Sequence, residues 1–120
     1  MDLAAAGVEI AFGIDSGASN QGIDLFSELA RLAADRPEIP PLMILQGATR
    51  GGRRALHLPE GPATWDEGST ADGCVVGPCP PDAESMSSED LAAWVWSGEA
   101  ALLFTVHAGE VRESVASPPE

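Results

Sequence analysis

The chain has 120 residues with 19 acids, six arginines and no lysine, which gives a formal charge of −13. A chain of this length is expected to form one domain and to bury roughly two thirds of its unfolded surface, enough to fold without disulfides. Such an excess of acid argues against nucleic acid and anionic membranes as partners, because both are bound through Lys and Arg. Leu, Ile, Val and Phe together supply only 26 residues, so we expect a small core.

The N-terminal sequence predicts a cytoplasmic protein. A secretory signal begins with positive charge followed by an apolar stretch, whereas this chain begins Met1-Asp2 and its first apolar segment is interrupted by Gly7 and Glu9. No apolar run approaches the roughly 18 residues of a membrane span. Two cysteines are too few for a secreted disulfide scaffold.

The first third of the chain predicts a strand followed by a helix. Val8 to Ile14 alternates apolar residues with small or polar ones, which is the period-two pattern of a strand with one buried face. From about Ile23 the apolar side chains recur at helical spacing. Pro37 disfavours helical geometry at the residue before it, so the helix is expected to end near Arg36.

The next segment predicts a β-hairpin with a basic tip. Leu42 to Ala48 is an apolar run of strand length, Gly51-Gly52 supplies the positive φ angles of a tight turn, and Arg53 to Leu58 is the returning strand. Half of the positive charge lies at this tip, on Arg50, Arg53 and Arg54. Guanidinium groups bind phosphates and carboxylates bidentately, so these residues are a candidate anion-binding site. The alternative is that they neutralise acids of the same molecule.

Pro59 to Ser87 predicts a long acidic loop. The stretch is rich in Pro and Gly, and the chain contains no Arg or Lys from Ala55 to Val111. A structureless stretch of this length is uncommon inside a compact domain and is usually functional or disordered. We therefore expect the loop to bind a partner. The candidate partner-binding residues, which include one tryptophan of the following helix, are Trp65, Asp66, Glu67, Asp72 and Trp96.

The last third predicts one helix and a second hairpin. Ser87 to Asp90 is a capping box for a helix from about Ser88 to Trp96. Trp94 and Trp96 fall on opposite faces of this short helix, so only one can be fully buried, and an exposed Trp is a typical interface anchor. A turn at Ala108-Gly109 separates two further strands.

These elements predict an α+β domain. Residues 1–116 form the domain, with an antiparallel or mixed sheet of about five strands, two helices and the long loop at 59–87. The last two strands are Ala101 to Val106 and Val111 to Val115, and residues 117–120 are a tail.

One short segment carries a catalytic motif. An apolar predicted strand is followed here by an Asp-Ser-Gly turn, in the sequence Phe12-Gly13-Ile14-Asp15-Ser16-Gly17-Ala18-Ser19. It resembles the active-site loop of the retropepsin-like aspartic proteases, which implies a homodimer in which Asp15 shares a proton with its twin and activates water. The alternative is a turn in which the side chain of Asp15 or Ser19 accepts a hydrogen bond from a backbone amide at the start of the next helix. The loop is also similar to the start of von Willebrand A folds, where an Asp and two hydroxyls hold a divalent cation.

Cysteine and histidine match a zinc site in number but not in spacing. Cys74, Cys79, His57 and His107 equal the four ligands of tetrahedral zinc, yet strong zinc motifs have their cysteines at a spacing of two. A local disulfide between Cys74 and Cys79 is the other alternative. We expect neither a metal nor another cofactor.

The sequence therefore favours a non-enzymatic acidic interaction module. Such a protein would be an inhibitor, an immunity or antitoxin-like factor, or an accessory subunit that docks on the basic surface of a protein partner. No Gly-x-Ser-x-Gly elbow is present, and no Lys is available for a phosphate-binding loop. The alternatives are an aspartic hydrolase acting as a homodimer through Asp15 and a structural shell or capsid component.

Overall fold

The computed structural model describes residues 2–13, 24–58, 67–68 and 71–113. The helices of these residues are α1 (Asp2–Ala5), α2 (Leu25–Asp35), α3 (Pro41–Gln46), α4 (Gly52–Ala55) and α5 (Ser88–Val95). A π-helical turn, Gly47–Gly51, joins α3 to α4, and a 3-10 turn, Ala83–Ser85, precedes α5. The strands are β1 (Gly73–Gly77), β2 (Ala101–His107) and β3 (Glu110–Glu113).

Helix α2 confirms the helix predicted from about Ile23 to Arg36. Asp24 is its N-cap, and the carboxylate accepts a hydrogen bond from the Phe26 amide at 3.1 Å and another from the Ser27 hydroxyl. The bond to Phe26 satisfies one of the backbone amides that the first helical turn leaves unpaired. The helix ends at Asp35, two residues before Pro37, as expected from the restriction that proline places on the residue before it.

The hairpin predicted for Leu42 to Leu58 is wrong, because this segment is helical. Pro41 occupies the first turn of α3, a position where the missing amide hydrogen is not needed. Gly51 and Gly52 have φ of −61°, so they do not form the predicted turn of positive φ. The Thr49 hydroxyl donates to the Leu45 carbonyl at 2.9 Å, a bond between side chain and backbone that is typical of helices.

Two glycines of this helical run form a groove for the N-terminal segment. A Cβ on Gly51 would lie 1.9 Å from the Ile10 carbonyl oxygen, and a Cβ on Gly47 would lie 2.5 Å from the Phe12 ring. Both glycines are buried. Val8 to Gly13, the described part of the first predicted strand, is irregular instead of a strand. The glycines are therefore required for close approach of this segment.

The core lies among the helices. Its central cluster consists of Leu29, Ile39, Ile44 and Trp96, and α3 packs against both α2 and α5. The Trp96 ring lies 5.4 Å from the Phe26 ring at a tilt of 44°, a favourable geometry for an aromatic pair.

Helix α5 confirms the helix predicted from Ser88 to Trp96 and its cap. The Ser87 hydroxyl accepts a hydrogen bond from the Asp90 amide at 3.1 Å, and Ala92 is fully buried. Gly98 follows with φ of +91°, a conformation that glycine adopts without strain.

The sheet has the order β1-β2-β3 and is antiparallel throughout. Strand β2 and the turn at Ala108-Gly109 confirm the predicted strand Ala101 to Val106 and its turn. The α+β class fits the arrangement, but the predicted sheet of about five strands is wrong, because the described residues form three. The residues predicted to be a structureless loop at 59–87 include β1 and a 3-10 turn. None of the buried apolar side chains of the described chain lies in a strand.

The end of α4 is a Schellman motif with a histidine at its left-handed position. The Leu58 amide donates to the Arg53 carbonyl and the His57 amide donates to the Arg54 carbonyl, both at 3.1 Å. His57 has φ of +52°, where glycine is preferred. We expect His57→Gly to raise the free energy of unfolding by about 1 kcal/mol, measured by urea denaturation.

His57→Ala is the matched control for this prediction. Alanine removes the imidazole but keeps the Cβ that makes positive φ unfavourable, so its effect is expected to stay within about 0.5 kcal/mol. Equal changes in the two variants would show that the left-handed backbone is not the cause.

Candidate protein-interaction site

Three of the candidate residues lie outside the described residues: Asp15, Trp65 and Asp66. The aspartic-protease interpretation of Asp15 and the interface role of Trp65 and Asp66 stay predictions. Glu67 is described, and it is exposed in a turn with Gly68. Of the predicted acidic loop, the structure thus places Glu67 where a partner has access to it.

Asp72 has a structural role within the sheet. Its carboxylate accepts a hydrogen bond from the Ala108 amide at 2.8 Å and lies 3.5 Å from His107 Nδ1. The neighbouring Ala71 carbonyl accepts from the Gly109 amide at 3.0 Å. Asp72 therefore holds the turn between β2 and β3 against the start of β1. To bind a partner as predicted, the Asp72 carboxylate would have to exchange or share these contacts within the chain.

Trp96 is a core residue, not the predicted surface anchor. It is 7% exposed, and its indole Nε1 donates to the Pro41 carbonyl at 3.2 Å. The periodicity of the short helix did not determine which of Trp94 and Trp96 faces the core. The packing of α5 against α3 decides it, because Trp96 lies beside the first residue of α3 and the ring of Phe26.

The three arginines predicted at a hairpin tip lie on the helical run instead. Arg54 forms a salt bridge with Glu9 at 2.6 Å, which ties the N-terminal segment to α4. Arg50 is exposed and Arg53 is half-buried. The Arg54–Glu9 pair supports the alternative that arginines of this cluster neutralise acids of the same molecule.

Exposed acids are concentrated in a segment from residue 82 to residue 99, which we call the acidic segment. Its members are Asp82, Glu84, Glu89, Asp90 and Glu99, and all five are exposed. The salt bridges found among the described residues use Glu9, Glu28, Glu38 and Asp72 and none of these five. The sequence signal for the segment was the absence of Arg and Lys between Ala55 and Val111.

Local hydrogen bonds fix the backbone of the acidic segment. The Ser85 hydroxyl donates to the Asp82 carbonyl at 2.9 Å, and the Glu99 amide donates to the Ser97 hydroxyl at 3.2 Å. Glu89 and Asp90 lie in the first turn of α5, where negative charge stabilises the helix dipole. Asp82, Glu84 and Glu99 lie outside the first turn of a regular α-helix. These three carboxylates are the strongest candidates for an intermolecular role.

Apolar side chains are exposed at the ends of α1 and α4. They are Leu3, Val8, Leu56 and Leu58, and Leu56 is 72% exposed. The Val8 amide donates to the Leu3 carbonyl at 3.0 Å. Single exposed apolar residues are common on protein surfaces, so these four do not by themselves define a site.

The four residues that match a zinc site in number are not brought together as ligands. Cys74 and Cys79 are free and exposed, His57 lies in the turn after α4, and His107 pairs with Asp72. Among the described residues, no group of three or more His, Cys, Asp and Glu side chains is arranged to hold a metal ion.

Cys74 lies on one sheet face, opposite Thr105, and burial raises the pKa of its thiol. The thiolate is the form that reacts with alkylating reagents. In a Cys79→Ala chain at mildly alkaline pH, we expect iodoacetamide to label Cys74 several-fold more slowly in the folded protein than in urea. The rate for glutathione with and without urea corrects for the solvent. Equal corrected rates would contradict the raised pKa of the Cys74 thiol.

None of the helices in the described ranges combines the length and the apolar character needed to cross a membrane.

The comparisons with known proteins give one partial match. A 5-methylthioadenosine/S-adenosylhomocysteine deaminase from Haloquadratum walsbyi is 40% identical over 63 residues, which cover 47% of this chain. The matched region spans 14% of the deaminase, too small a share to show that this chain belongs to the same family. No protein-family model and no solved structure matches the chain.

Proposed function

We propose that the chain is a non-enzymatic protein-interaction module of the cytoplasm whose acidic segment docks on a basic surface of a protein partner. An inhibitor, an immunity or antitoxin-like factor and an accessory subunit all fit this role. The observation that carries the proposal is the set of exposed acids at 82–99 that take part in no salt bridge of the described chain.

Electrostatics supports such docking. The net charge of −13 attracts basic molecules, and the five carboxylates of the acidic segment take part in none of the salt bridges of the described residues. Complementary charge mainly raises the association rate and suppresses wrong partners. Exposed charges interact over about 8 Å at physiological ionic strength, so the effect is specific to partners with basic groups at the contact.

The backbone of the acidic segment also supports binding without reorganisation. The capped helix α5, the 3-10 turn before it and the turn after it hold the segment in place. A surface that is already ordered loses little conformational entropy on association. Residence time would come from apolar contacts, for which Trp65 remains the predicted anchor.

The experiment compares two triple variants that change the net charge equally. One neutralises the acidic segment (Asp82→Asn, Glu84→Gln, Glu99→Gln), and the control neutralises acids on and after α2 (Glu28→Gln, Asp35→Asn, Glu38→Gln). The partner is first co-purified from the native host with the wild-type chain and identified by mass spectrometry. Its affinity for each variant is then measured by titration calorimetry.

The proposal predicts that the acidic-segment variant loses about ten-fold in affinity and that the control variant binds like wild type. Equal losses of affinity in both variants would show that the partner responds to the net charge of the chain and not to the acidic segment, which would contradict the proposal. Unchanged affinity in both would contradict docking through the acidic segment. Circular dichroism confirms that each variant is folded.

A further inference from the structure

Strand β3 is an edge of the described sheet, short and mostly charged, and it lacks the bulge and the proline of the other edge. Its sequence is Glu110-Val111-Arg112-Glu113, with no proline and no bulge. The other edge, β1, has a register irregularity between Val75 and Val76 and ends at Gly77-Pro78. Bulges and prolines remove backbone groups from pairing, so β3 keeps its outward backbone groups available, and its charged side chains restrict which strand and which register can pair with it.

The hairpin fixes which backbone groups of β3 point away from β2. The turn residues Ala108 and Gly109 have φ of 50° and 84°, as in the two-residue turns of tight hairpins. In that geometry the flanking residues exchange hydrogen bonds, and the pattern then alternates along the strands. The backbone amide and carbonyl of Arg112 therefore point toward β2. The same carbonyl also accepts a hydrogen bond from the Thr105 hydroxyl at 3.5 Å. The amide and carbonyl of Val111 face outward.

Val111 also exposes an apolar side chain at this edge. It pairs with Val106, so it shares a sheet face with Val106 and Phe104, and it is 64% exposed. Glu110 and Arg112 lie on the other face of the strand, because side chains alternate. A strand added at this edge would cover Val111 and extend the apolar face of the sheet.

Charge selects one register for a second copy of β3. With Val111 opposite Val111 of the second copy, Glu110 lies opposite Arg112 in both halves of the pair, and the outward groups of Val111 bond to each other. The next register, centred on Arg112, places two arginines directly opposite, which is destabilising. A register centred on Glu113 places two glutamates directly opposite, which is destabilising in the same way.

We propose that two copies of this chain associate through β3, antiparallel about a twofold axis at Val111, to form one continuous six-stranded sheet. Addition of a strand at a sheet edge is a general mode of recognition, and a twofold contact uses the same surface on both copies. The inference is independent of the proposed docking of the acidic segment.

The test uses two single charge reversals of the full-length chain. Arg112→Glu places glutamate opposite glutamate in the selected register, and Glu110→Arg places arginine opposite arginine. Sedimentation equilibrium of the wild type over the micromolar range is expected to show a dimer. Each variant alone is expected to have a dimer dissociation constant about ten-fold higher or more, because two opposed pairs change sign.

Mixing the two variants gives the decisive result. In the mixed pair every glutamate at position 110 or 112 lies opposite an arginine, so the two variants are expected to form a one-to-one heterodimer, detected by native mass spectrometry. A wild type that stays monomeric across the range would overturn the proposal, as would variants that dimerise as tightly as wild type. Folded variants that fail to associate on mixing would also overturn it. Circular dichroism of each variant confirms the fold.

Discussion

Gly51→Ala is expected to lower the free energy of unfolding by about 3 kcal/mol, near the upper end of the cost of overpacking. The added Cβ would lie 1.9 Å from the Ile10 carbonyl oxygen and 3.0 Å from its carbon. These are backbone atoms, so no rotation of a side chain can relieve the clash. The N-terminal segment must therefore move off the groove. Urea denaturation followed by tryptophan fluorescence measures the loss.

Gly52→Ala is the matched control, one residue further along, at the start of α4. The atom nearest to a Cβ at this position is the Gly47 carbonyl oxygen at 3.9 Å, an ordinary contact, and φ is −61°. Alanine is favoured over glycine in a helix by about 0.5 to 1 kcal/mol. We expect Gly52→Ala to be stabilising. If both alanines destabilise alike, the groove does not bind the N-terminal segment as described.

Trp96→Ala is expected to cost about 3 to 5 kcal/mol of stability. The substitution removes the aromatic contact with Phe26 and leaves a cavity beside Ile44 in the small central cluster. It also removes the indole donor of the Pro41 carbonyl. For a domain with a typical stability of about 5 to 15 kcal/mol, this is a large fraction. Thermal unfolding followed by circular dichroism measures it.

Trp94→Ala separates burial from the general effect of losing a tryptophan. Trp94 is half-buried on the same helix, so its truncation should cost clearly less. A Trp96→Ala chain as stable as wild type would contradict the core position of Trp96 and restore its candidate role at an interface.

The elements that could be predicted from the sequence are those that local signals specify. Helices α2 and α5 have a helical apolar period and a capping residue, Asp24 and Ser87. Both signals act within a few residues, so no knowledge of the rest of the chain is needed. The turn at Ala108-Gly109 and strand β2 follow in the same way from a turn signal beside an apolar run.

The helical run from Pro41 to Ala55 could not be predicted in this way, because distant contacts determine it. A continuous apolar run such as Leu42 to Leu45 is compatible with a strand or a buried helix. The role of Gly51 depends on Ile10, which is far away in sequence. A glycine required for close approach and one required for a turn look the same in a single sequence.

In the candidate site, too, features set by neighbouring residues could be predicted from the sequence, and features set by contacts between distant residues could not. The excess of acid in this part of the chain follows from the sequence, since no Arg or Lys lies between Ala55 and Val111, but the bounds of the acidic segment come from the exposure of its side chains in the fold. The structural role of Asp72 does not follow from the sequence, because its partners, His107 at the end of β2 and Ala108 in the turn that follows, are distant in sequence. Strand β1 is not predictable from local signals for a similar reason, since pairing with β2 stabilises a short segment between Gly73 and Gly77.

The most direct test of the proposed docking is the association rate with the co-purified partner as a function of ionic strength, measured by stopped-flow fluorescence. We predict that the rate for wild type falls about ten-fold or more as salt rises and screens the acids, while the dissociation rate changes little. The variant with Asp82, Glu84 and Glu99 neutralised should show a much weaker dependence, and the α2 control should follow wild type. An association rate that does not depend on salt, or depends on it equally in all three proteins, would contradict docking through the acidic segment.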